Sequence, residues 1–163
     1  MTNLSKTANG KFCDELLAYW RTMADITILP PASENAVLEF ERFNHVHCPD
    51  DFRAFFLNCA NGFDQFSGCC DESGFNFLPI ADICNPSSVF GSASTFEEIN
   101  LYFVFCGYLD FSWAYAISLR ESCRKGEIVI VGTRTGHPVF VAKNFSDFIA
   151  LYLKDDSLLY AVG

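Results

Sequence analysis

Positive charge is scarce in this chain: 11 Lys and Arg stand against 20 Asp and Glu, leaving a formal net charge of −9. A surface of that sign repels the phosphate backbone whose neutralisation dominates nucleic-acid affinity, so nucleic-acid binding is disfavoured. Uninterrupted apolar runs are missing as well. The most apolar stretch, 99–119, contains Gly107 and Asp110 and has no basic cluster beside it, so it reads as two strands and not as a membrane span. In the opening MTNLSKTANGKFCDELLAYW, Lys6, Lys11, Asp14 and Glu15 interrupt the apolar core that a signal peptide requires. Export by the general route is not indicated, and the cytoplasm is the expected compartment.

Motifs for metal and covalent chemistry are also absent. The eight cysteines fall at 13, 48, 59, 69, 70, 84, 106 and 123 without a C-x-x-C pair, which removes zinc ribbons and thioredoxin-like sites. With no export signal, the expectation is reduced thiols that pack as small hydrophobes; a bond between the adjacent Cys69 and Cys70 would be strained. His45-Val46-His47-Cys48 is the most metal-like cluster, but it has no fourth ligand in sequence and reads as a polar connector between helices. No cofactor and no metal is expected. Only three histidines exist to activate a nucleophile, no cysteine sits in a nucleophile motif, and the glycines form no phosphate-cradling loop. The chain is therefore read as non-enzymatic, with a thiol- or metal-dependent hydrolase, built on a Cys-His pair formed through space, as the rival from another class.

What is present is core. Half of the 163 residues are hydrophobic and 18 are Phe, enough for one domain in which folding buries roughly 70% of the unfolded surface. Residues 1–163 are read as a single domain with a flexible lead-in over 1–11. Helical periodicity covers 12–23 through Phe12, Leu16, Leu17, Trp20 and Met23. Pro30-Pro31 forces an extended connector, and Ser33 caps a second helix to about Asn44 whose buried stripe is Val37, Phe40 and Phe43 with Leu38. Pro49, Asp50 and Asp51 start a third helix that Asn61-Gly62 ends. Strands follow at 75–77, 101–106, 113–119, 127–131 and 138–142, and the 84–98 link between the first two is read as mobile. Asn144 caps a last helix, with Asp147 reaching back to complete a capping box. The fold class is α+β: an antiparallel sheet of five or six strands with N-terminal helices and one C-terminal helix packed on it.

Acidic residues interleave with aromatics at Asp64 and Phe66, continue to Asp71 and Glu72, and recur at Glu97, Glu98 and Asp110. Rings supply burial and acids steer a basic partner, so these seven residues form a candidate protein-binding patch.

Three stretches resemble the SUKH superfamily, whose best-known branch is the yeast cell-wall-assembly-regulator-like domain: 34–62 (ENAVLEFERFNHVHCPDDFRAFFLNCANG), 101–119 (LYFVFCGYLDFSWAYAISL) and 139–160 (VFVAKNFSDFIALYLKDDSLLY). Cys48 stands where the family's motif has Leu. The resemblance spans 12–160 and implies a bacterial immunity protein that neutralises a polymorphic or contact-dependent toxin by direct binding in the producing cell. The toxin would be a protein partner, and a basic nuclease would suit the acidic surface. A regulatory interaction scaffold is the alternative that the resemblance implies, and it carries over no catalytic residue. Oligomeric state is left open.

Overall fold

In the computed structural model, which describes residues 4–93 and 96–162, the chain begins with helix α1 (Leu4–Trp20). It starts ahead of the expected Phe12, so residues 4–11 of the presumed flexible lead-in are helical; residues 1–3 lie outside the described residues. An extended connector follows through Pro30-Pro31, and Ile28 bridges Phe63 across it. Helix α2 (Glu34–Asn44) begins where expected, because the Ser33 side chain accepts the Ala36 N–H at 3.1 Å. Helix α3 (Asp50–Ala54) runs on as a π-helical turn, Phe55–Cys59. Pro49 caps this helix from outside instead of occupying its first turn.

Two carboxylates fix these helices to their neighbours. Asp51 accepts the Ser146 N–H at 2.8 Å and its hydroxyl at 3.1 Å, tying the start of α3 to the start of the last helix. Glu41, buried inside α2, accepts the Cys48 N–H at 2.9 Å and pairs with Arg53 at 2.9 Å. Burial pushes the Glu41 carboxyl up, but the Cys48 amide and the Arg53 guanidinium outweigh it and hold the group below its ordinary range. Gly62 then turns the chain at φ +69°, where a Cβ would lie 2.5 Å from the Phe77 carbonyl oxygen. Only glycine fits that approach.

Five strands form one antiparallel sheet in the order of the sequence: β1 (Phe75–Phe77), β2 (Tyr102–Tyr108), β3 (Trp113–Ser118), β4 (Ile128–Val131) and β5 (Val139–Ala142). A bulge between Val104 and Cys106 shifts the β2 register. The closing helix α5 (Phe145–Leu153) is capped by Asn144, which accepts the Asp147 N–H at 2.8 Å. The reciprocal contact of the expected capping box is different: Asp147 accepts from the Asn144 side-chain amide at 3.2 Å. The chain is thus an α+β fold, as the order of helices first, strands next and one closing helix implied.

The 84–98 link is not a plain loop. It contains helix α4 (Pro86–Phe90), started by Asn85 accepting the Ser87 N–H at 3.0 Å, and a 3-10 turn directly after it (Gly91–Ala93); residues 94 and 95 lie outside the described residues. The Phe90 ring occupies the place where a Cβ on Gly132 would be, and Phe96 lies 5.8 Å from Tyr102, so the link packs on the sheet.

The helical side of the core is aromatic. Phe52, Phe55, Phe105, Phe145 and Phe148 meet edge-on or tilted at centroid distances of 5.1–5.8 Å. Cys13 of α1 and Cys59 of the π-helical turn are joined by a disulfide, their Cα atoms 5.2 Å apart, which corrects the expectation that all thiols are free. Sequence spacing could not show it, because the pair meets only once α1 packs against the turn. Closing 46 residues of chain contributes about 4 kcal/mol if the effect is one of chain entropy.

Asp71 anchors the centre. It is buried and accepts the Ser73 and Phe75 N–H groups, both at 2.9 Å, and the Tyr152 hydroxyl at 2.5 Å. Tyr152 in turn accepts the Trp20 indole N–H at 2.9 Å. Removing the carboxylate strands several buried donors, so Asp71→Ala is expected to lower unfolding stability in urea by about 3 kcal/mol or more, and Tyr152→Phe by about 2 kcal/mol. An Asp71→Ala midpoint within error of the parent would contradict the network.

Candidate interaction groove

The seven acidic and aromatic residues expected as one patch fall into separate places. Phe66 is fully exposed, on a turn where Asp64 accepts the Phe66 N–H at 2.9 Å. Glu72 and Asp110 are exposed in neighbouring loops, Asp110 in the β2–β3 turn at φ +53°. Glu97 and Glu98 are exposed ahead of β2, and Glu98 pairs with Arg124 at 3.0 Å. The seven residues of β2 separate the two groups by roughly 20 Å. Asp71 is spent inside the molecule and offers nothing to a partner.

The thiols and imidazoles do not assemble. Among the described residues, no group of three or more His, Cys, Asp or Glu side chains is placed to hold a metal ion. His45 occupies a left-handed position at the end of α2, with φ +54°. His47 lies 3.5 Å from Glu41, and Cys48 is buried beside the same carboxylate. Burial and then the Glu41 charge push the Cys48 thiol up to about 12. Burial likewise raises Cys84 and Cys106, and it raises Cys70 to about 11, where the neighbouring Cys69 adds to the effect. Cys69 and Cys70 remain unbonded, with sulfurs 3.6 Å apart. A nucleophilic cysteine needs the opposite shift.

A broad concave feature lies elsewhere. A groove of about 890 Å³ runs between α2 and the 80–88 segment, closed at one end by Ile99, Asn100 and Arg120, with Phe103 on its floor. The floor is set by strand order: Phe103 of β2 faces α2, where it meets Phe40 edge-on at 6.1 Å. The α2 wall is a helical stripe of Ala36, Glu39, Phe40 and Phe43. Phe43 is 84% exposed and Leu38 41%, which corrects the place of both in the expected buried stripe. Val37 and Phe40 take the core, and the helix turns Phe43 to one side of them, onto the groove rim. The exposed Phe43 ring thus stands beside an apolar hollow. Sequence reasoning missed Arg120 and Asn100 altogether. The available signal was a second apolar stripe on α2, offset from the core-facing one.

The family model for the SMI1 / KNR4 family (SUKH-1) matches residues 31–151. The match includes every wall of the groove and leaves out α1. No curated protein matches the chain.

Two outcomes follow from burial. Phe40→Ala is expected to cost about 3 kcal/mol or more in unfolding stability and Phe43→Ala no more than about 0.5 kcal/mol, read from denaturant midpoints; equal losses would place Phe43 in the core. All six tyrosines are held above their ordinary value, first by burial, with Tyr102 up to about 12. Thiols and phenols therefore ionise in the unfolded chain before they do in the native one, and stability is lost as pH rises above about 8.5. Tyrosinate absorbance at 295 nm is expected to stay low through about pH 10 and to rise together with loss of the circular dichroism signal. Titration near pH 10 with an intact dichroism spectrum would refute this.

Proposed function

Since the chain belongs to the SMI1 / KNR4 family (SUKH-1), we propose that it works by holding a partner protein and not by catalysing a reaction. We further propose that the partner is a toxin domain, which the chain neutralises in the cell that makes both. The observation that carries this reading is the solvent-open groove against α2, with the Phe43 ring standing on its rim. Binding energy at protein interfaces concentrates in a few aromatic or arginine anchors beside apolar hollows, and the groove supplies both kinds. The −9 net charge adds a kinetic element. It speeds encounter with a partner of net positive charge, such as a nuclease whose cleft binds phosphates.

The test is co-expression with the toxin domain encoded beside the gene. Growth should be restored in cells that carry both, and the two proteins should purify together as a stoichiometric complex. Continued killing without a co-purified complex would end the toxin reading.

A further inference from the structure

The groove carries a cation that no carboxylate among the described residues neutralises. Arg120 lies just past β3; its Nε donates to the Asn100 carbonyl at 2.8 Å, and its guanidinium carbon lies 5.7 Å from the centre of the Phe103 ring. These contacts fix the planar group above the apolar floor. Among the described residues its two terminal nitrogens have no hydrogen-bond acceptor, and no carboxylate forms an ion pair with it. Arg21, Arg42 and Arg134 also form no ion pair among the described residues, but they are exposed, whereas Arg120 is half-buried. The other half-buried arginine, Arg53, lies between Glu41 at 2.9 Å and Glu34 at 3.5 Å. A held guanidinium with both terminal nitrogens open presents the fork that carboxylates match.

We infer that the groove takes an apolar segment of a partner protein bearing an acidic side chain, and that this carboxylate docks on Arg120. Phe43 packs against the apolar neighbours of that acid. Glu39, on the α2 wall, repels a second acid and favours a basic residue there, so the two charges fix the direction in which the segment lies. An open groove with an aromatic on its rim suits a chain segment laid along it better than an enclosed small molecule. The inference rests on the reading of this chain as a protein-binding domain and adds the chemistry of the bound element. It also reverses the sign that net charge alone would give: the partner's overall charge can be positive, but at this groove it supplies the acid.

A random peptide display library panned on the full chain tests this without the toxin. Enriched peptides should share an Asp or Glu flanked by large apolar residues. In fluorescence polarisation, Arg120→Glu should weaken their binding at least about ten-fold, and replacing the peptide's acid by Lys should restore binding to that variant. Arg120→Gln, which keeps the side chain's length without charge, should weaken binding in the same direction and guards against misfolding of the reversed variant. Enriched peptides without an acid, undiminished binding by both variants, or no enriched family would overturn the inference. The outcomes are separable from those of the toxin reading. A chain that protects cells yet selects no acidic peptide keeps its function and loses this assignment of the groove.

Discussion

A single buried carboxylate organises this domain. Asp71 accepts from two amides of its own turn and from the Tyr152 hydroxyl, and Tyr152 accepts from Trp20. Four parts of the chain thus converge on a few polar atoms: α1 through Trp20, the 71–74 turn, the first residue of β1, and α5 through Tyr152. An unpaired carboxylate at this depth would cost several kcal/mol, whereas one with three donors is tolerable and directional. Trp20 lies outside the segment 31–151 that matches the family. This chain has nevertheless made α1 part of the core, through that indole and through Cys13.

The second organising pair is Glu41 with Arg53. It closes the 45–48 connector onto α2 and joins α2 to α3. The helix it anchors, α2, is also one of the groove walls. Chemistry that could have competed for the same residues is suppressed by the same burial. Cys48 lies against the Glu41 charge, and the histidines beside it are not gathered into a ligand set among the described residues.

Where local chemistry decides the outcome, the sequence was legible. Ser33 and Asn144 cap their helices through their own side chains, Gly62 is required by the nearby Phe77 carbonyl, and β-branched and aromatic runs separated by turns give the strands. Where distant parts meet, it was not. Cys13 and Cys59 are partners only because α1 lies on the π-helical turn. Asp71 looked like a surface acid because it follows Cys70 in a polar loop, yet its donors come from residues two, four and 81 positions away. Phe43 shares helical spacing with Phe40, but on a short helix with two apolar stripes periodicity does not say which stripe meets the sheet. The link before β2 looked mobile from its Ser, Asn and Gly content, and the contacts of Phe90 with Gly132 and of Phe96 with Tyr102 show it lying on the sheet.

The Cys13–Cys59 bond is enclosed on both sides, with 5% and 4% of the two residues exposed. Thiol–disulfide exchange requires in-line access of an attacking thiolate to one of the sulfurs. In the native state that path is shut, so the cross-link does not follow later changes in the redox poise of its surroundings. Its state is decided while α1 is still docking and is then retained until the helix comes away. The bond therefore exchanges no faster than α1 comes away from the π-helical turn, and opening of that helix, not the redox poise outside, sets the pace.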